Sequence, residues 1–188
     1  MEDRRYTIGI PANNREYYHK AFLLMTLIDD DFYKIFLQRD RIQKDISENN
    51  LKSIFADIHF FLIGVSNLKC GLEKLRNTIK DDDKFKIIYK KYINKLEYLD
   101  IFRDHQEHIY EGRLEGKGKS KKPLKRPSML GNLTKNLDYD FGGDRFSLPE
   151  AFSLIESLKK EMIEWNLENK IYPFWYIDQI VRVDMPKK

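Results

Sequence analysis

Apolar residues recur at helical spacing over four stretches of the chain, with polar residues on the remaining faces. The first stretch opens at Asn13 or Asn14, either of which can cap a helix, with Glu16 three residues after Asn13 as in a capping box. It runs to about Arg41 and carries the stripe Phe22, Leu23, Leu27, Ile28, Phe32, Ile35 and Phe36. The second runs from about Leu51 to Ile79, striped by Ile54, Phe55, Ile58, Phe61, Leu62, Val65, Leu68, Leu72 and Leu75. The third follows Asp81-Asp82-Asp83, a natural cap, and continues to about Gly112 through Phe85, Ile88, Tyr89, Tyr92, Ile93, Leu96, Leu99 and Phe102. The fourth starts strongly at Ser147, Pro149 and Glu150 and carries Phe152, Ile155, Leu158, Met162 and Trp165 to about Glu168.

Between the third and fourth stretches, residues 128–146 read as a β-hairpin or paired extended segments, with Gly142-Gly143 as a tight turn before Asp144. Beyond the fourth, a tail of about 170–188 is apolar and aromatic around Phe174, Trp175 and Tyr176 and is expected to pack on the body. A single amphipathic stripe cannot be buried alone. The pattern therefore predicts one domain over 1–188, mainly all-α: a four-helix bundle with a basic loop and small hairpin inserted at about 113–146 between helices 3 and 4.

Composition narrows the setting. The 12 Phe, 11 Tyr and 2 Trp argue against disorder. The lone Cys70 lies in an apolar helical pattern and reads as a small core residue, which fits a reducing cytoplasm. Residues 1–6 contain no apolar signal region. The apolar run Ile54–Val65 is broken by Asp57 and His59, so no membrane span is expected there. Charge is unevenly placed: residues 112–127 hold Arg113, Lys117, Lys119, Lys121, Lys122, Lys125 and Arg126 against Glu115, a net +6 in a chain of net +4. With its glycines and prolines the segment reads as a loop suited to nucleic-acid phosphates, or as a solvated surface.

Several local patterns carry no chemistry. Gly118-Lys119-Ser120 lacks the first glycine of a phosphate loop, because position 113 is arginine, and follows a helix rather than a strand. The aspartate runs 29–31 and 81–83 point in successive directions and read as a solvated face and a cap. His105 and His108 lack a third ligand at metal-site spacing, and neither a metal nor a cofactor is expected. His19 and His59 read as structural. What remains is Arg103-Asp104-His105-Gln106-Glu107-His108-Ile109-Tyr110 at the end of the third helix. A cation joined to a group that titrates near neutrality suits phosphodiester cleavage, and the basic run follows at once. At about 100° per residue Arg103 and His108 stand roughly 140° apart around a helix, so a frayed last turn or a second subunit is needed to bring them together.

The spacing Arg103–His108 resembles the R-x4–6-H signature of the HEPN superfamily, in which Asn, Asp or His commonly follows the arginine, as Asp104 does here. The place of the motif near the end of the third of four helices is similar too. Tyr110 completes the R-x4-H-x-Y form of HEPN toxins that pair with a nucleotidyltransferase antitoxin, where the tyrosine is modified. The resemblance implies a metal-independent endoribonuclease, acting as a homodimer on RNA, in a toxin–antitoxin or phage-defence role, with an antitoxin protein as a possible partner. It implies that His108 serves as base or acid, that Arg103 stabilises phosphoryl charge and that Asp104 orients one of them, with Tyr110, Glu107 and His105 as auxiliary or modified residues. Two other readings compete: a non-catalytic helical module binding RNA, a nucleotide or a protein through residues 113–126, and a structural protein engaging a partner through Phe174, Trp175 and Tyr176.

Overall fold

The computed structural model describes residues 15–109, 124–126, 128, 130–169 and 171. Among them the chain forms helices α1 (Arg15–Ser47), α2 (Leu51–Thr78), α3 (Asp83–Glu107) and α4 (Leu148–Asn169), with strands β1 (Leu130–Leu133), β2 (Asp138–Phe141) and β3 (Asp144–Ser147) between α3 and α4. The expected mainly helical architecture with a small antiparallel sheet is what the chain adopts. The predicted hairpin is β2–β3, turned by Gly142 and Gly143 at φ 64° and 89°, and β1 adds a third strand on the β2 side.

The helices alternate in direction. α1 and α2 lie closest: a Cβ added at Gly64 would stand 2.7 Å from Ile35 Cγ1, and one at Gly71 would stand 2.8 Å from Ile28 Cγ1. Only glycine permits that approach at either position. α3 and α4 are tied by Phe85 against Trp165, ring centroids 5.0 Å apart, and by Trp165 Nε1 donating to Asp82 Oδ2 at 2.9 Å. Asp82 also caps α3, accepting from the Phe85 amide at 2.8 Å, and Ser147 Oγ accepts from the Glu150 amide at 3.4 Å at the start of α4. The sheet closes one end of the bundle, with Phe102 of α3 packed edge-on against Phe146 of β3 at 4.8 Å.

Four expectations are corrected. α1 runs past residue 41, because Ile42 is fully buried and Ile46 packs on the core, so the stripe continues. α3 ends at Glu107, not Gly112, with His108 as its C-cap and its amide returning to the Asp104 carbonyl at 3.2 Å. Leu23 and Leu27 are 48% and 59% exposed, and Cys70 is exposed. A helix that contacts the bundle on one side buries an arc narrower than its apolar pattern, and these residues fall outside that arc. Asp31 is buried, not solvated, and burial pushes its carboxyl up against the pull of Lys34. By length and composition alone the stretch Lys52–Thr78 of α2 is long and apolar enough to cross a membrane, and 56% of its apolar window is buried inside the fold, as in a core helix.

Candidate functional site

The last two turns of α3 carry the predicted constellation. Asp100, three residues before Arg103, accepts from Arg103 Nε at 3.1 Å and Nη2 at 2.9 Å, and from Lys69 Nζ of α2 at 2.9 Å. Burial pushes the Asp100 carboxyl up, but hydrogen bonds from Lys69, Ser66 and Arg103 outweigh it and hold the group below the usual carboxylate range. The other edge of the guanidinium meets Glu107, Nη1 to Oε2 at 2.6 Å. Burial opposes the charge on Arg103, and the Glu107 and Asp100 carboxylates more than compensate, so the guanidinium stays firmly protonated.

Asp104 joins the two predicted catalytic residues. Its Oδ1 lies 3.6 Å from Arg103 Nη2 and 3.7 Å from His108 Nε2. The 140° between Arg103 and His108 is bridged rather than removed: Asp104 adjoins Arg103 and stands four residues before His108, the C-cap, so its carboxylate reaches both. Arg103 and His108 therefore stand beside one carboxylate oxygen at the open end of the helix, with the side chains of Asp104 and His108 41% and 38% exposed.

His105 faces the other way. It is 1% exposed, and its Nε2 lies 3.6 Å from Asp144 Oδ2 of β3, where Lys125 also binds. One residue apart along the helix from Asp104, it belongs to the joint between α3 and the sheet. Within the basic run, Lys125 and Arg126 are exposed, Lys125 is paired with Asp144, and the Arg126 amide donates to the Gly142 carbonyl at 2.7 Å. Tyr110, Arg113, Lys117, Lys119, Lys121 and Lys122 lie outside the described residues, as does the tail around Phe174, Trp175 and Tyr176.

Two groups escaped the sequence reading. The first is the Asp100–Lys69–Ser66 clamp on Arg103. Asp100 was within reach of inspection, three residues before Arg103 on a helix. Lys69 and Ser66 come from another helix and carry no local signal. The second is a cavity of about 370 Å³ beside the end of α3, where His59, Gln106 and Tyr139 meet. Gln106 Nε2 and Tyr139 Oη are hydrogen-bonded, and burial pushes the Tyr139 phenol well above its ordinary value. Among the described residues, no three His, Cys, Asp or Glu side chains are grouped to hold a metal ion.

No protein-family model, curated protein or solved structure matches the chain. The fold and site define a helical bundle protein, with a small sheet at one end, that presents an arginine–aspartate–histidine cluster at the C-terminus of α3.

Proposed function

We propose that the protein is a cytoplasmic, metal-independent endoribonuclease of HEPN type, working as a homodimer and held in check by an antitoxin protein or deployed against phage. The observation that carries this reading is the Asp104 oxygen shared by Arg103 and His108. His108 removes the proton of a ribose 2′-hydroxyl. The 2′-oxygen bonds to the adjacent phosphorus, the bond to the 5′-oxygen breaks, and that oxygen leaves with a proton from water. The products are a 2′,3′-cyclic phosphate and a 5′-hydroxyl, so DNA is no substrate.

Arg103 is prepared unevenly for its part. Asp100 anchors the Nε–Nη2 edge at partial burial, while Glu107 holds Nη1 at a more exposed position. An exposed ion pair is worth about 0–1 kcal/mol, so a phosphoryl oxygen can displace Glu107 while Asp100 keeps the fork in place. The basic residues Arg113 to Arg126 then engage flanking phosphates. Cleavage of a mixed single-stranded RNA in EDTA is the test. The wild type should cut, and His108→Ala should lose about 10²–10⁴-fold with its fold intact. Equal cutting by both removes His108 from the mechanism.

One observation favours a second reading. Both edges of Arg103 already meet carboxylates, and the cluster sets Asp100, Asp104 and Glu107 against Arg103 and Lys69. A non-catalytic module that binds RNA through its basic run needs no released arginine. Under it neither protein cuts, and RNA affinity falls steeply with salt, less so when Lys121 and Lys122 are neutralised.

A further inference from the structure

We propose that the cavity between α2, the end of α3 and the sheet is a pocket for one unpaired base of an RNA strand, seated beside the Arg103–His108 cleft. This rests on the endoribonuclease reading and names its substrate as single-stranded. The cavity is about 370 Å³, within the size range of pockets for small flat ligands. Its wall is a run of aromatic rings: Phe55 of α2 against Tyr139 of β2, centroids 6.2 Å apart and tilted 46°, then Tyr139 against Phe141, 6.2 Å and 25°. Phe55 is half-buried and offers its ring to a base whatever the base's identity, with the buried Tyr139 and Phe141 rings behind it.

Two polar groups stand among the rings. Gln106 spends one end of its amide on Tyr139 Oη, and its carbonyl Oε1 is buried with no protein hydrogen-bond partner. A buried acceptor left in that state costs free energy until something donates to it. His59 lines the same cavity from α2. On the sheet side stands Gly131, at φ +90°, where a Cβ would meet Tyr139 Oη at 3.6 Å and Phe55 at 3.8 Å. Any side chain there would narrow the gap over both rings.

The chemistry selects the ligand. An apolar molecule would leave Gln106 Oε1 unmet, and a phosphate would bring a second acceptor towards it. A flat heterocycle carrying an N–H satisfies the carbonyl and covers the rings, which describes a nucleobase. The placement agrees. Gln106 is three residues beyond Arg103, which puts it about 4.5 Å further along α3 and roughly 60° around it. A base in the cavity thus leaves its own sugar and phosphate at the flank that Arg103 occupies.

The test uses a short oligouridine carrying one 2-aminopurine, titrated with the His108→Ala full-length protein so that binding is read without cleavage. The expected result is a saturable fall in 2-aminopurine fluorescence as the base stacks. Gln106→Leu should weaken that binding about tenfold, the loss of one hydrogen bond to a buried group. Gln106→Met, similar in length and lacking the carbonyl, covers the case in which the leucine variant unfolds, and it too should bind the base more weakly. RNA binding with no fall in fluorescence, or equal falls with and without Gln106, would overturn the pocket. The same oligonucleotide incubated with wild-type protein separates the two proposals. Gln106-dependent stacking without cleavage keeps the pocket and removes the nuclease, and cleavage without Gln106-dependent stacking does the reverse.

Discussion

Two carboxylates on neighbouring helices, one half-buried and one buried, meet opposite fates. Asp100 on α3 is surrounded by donors, Lys69, Ser66 and the Nε–Nη2 edge of Arg103, and its carboxyl is held low. Asp57 on α2 is 3% exposed and has only a 3.4 Å contact from Arg41. Its Oδ2 has no hydrogen-bond partner, and Asp45 is close enough to share a proton with it. Burial, only partly offset by Arg41, pushes its carboxyl up. The same chemical group is a fixed anchor in one place and a standing cost in the other. The number of donors aimed at it decides whether burial is offset.

That contrast can be broken most forcefully at Lys69. Lys69→Met leaves the half-buried Asp100 short of a donor and should lower stability by about 2 kcal/mol, measured as a fall in the urea midpoint at unchanged slope. A smaller and opposite effect is expected at the other site. Asp57→Asn removes a charge that the fold disfavours and should raise stability at pH 7 by about 1 kcal/mol.

pH sharpens the pair further. Both carboxyls start from an ordinary value of 3.8. Asp100 is lowered on folding, so its contribution is fully present above that value and fades as pH falls through its lower folded value. Asp57 is raised, so its cost is full above its folded value and is relieved as pH falls towards 3.8. The advantage of Asp57→Asn over wild type should therefore disappear in acid, in thermal melts taken from pH 7 to pH 3. An advantage independent of pH would mean that packing, not ionisation, sets the difference.

Smaller still is the effect of Glu107→Ala, under about 1 kcal/mol on stability for so exposed a pair, yet RNA affinity should rise as Arg103 Nη1 is released. Unchanged affinity in filter binding would count against Arg103 as a phosphate ligand. Lys84→Met, which breaks a wholly exposed pair with Glu168, should leave the melting temperature where it was.

Much of the frame was legible because it is periodic or local. The α2 stripe from Ile54 to Leu75 is buried apart from the partly buried Phe55. The Asp82 and Ser147 caps act within three residues, and Gly142-Gly143 makes the turn expected of two positive-φ residues. What failed was long-range or a matter of degree. The exposure of Leu23, Leu27 and Cys70 depends on how far neighbouring helices reach around α1 and α2. Leu130 to Leu133 shows too little alternation to announce β1, which exists because β2 offers it a partner. At the site, the motif Arg103 to His108 was readable as a spacing, and so was the i,i+4 reach from Asp104 to His108, but not the partners that fix Arg103 from another helix. The Lys69 clamp and the Gln106–Tyr139 contact cross 31 and 33 residues of chain.

The paired notches of the α1–α2 seam have a further consequence. Ile35 with Gly64 and Ile28 with Gly71 repeat after seven residues on both helices, so they act as two teeth of an antiparallel rack. Sliding α1 by one repeat would seat Ile28 at Gly64 again, but would carry Ile35 opposite Asp57. A bulky aliphatic chain against that carboxyl is a poor fit, so one setting of the rack is favoured over the next. The helix positioned by that setting is the one that delivers Ser66 and Lys69 to Asp100, and Phe55 and His59 to the cavity. Two glycines that touch neither site thus set the axial alignment on which both depend.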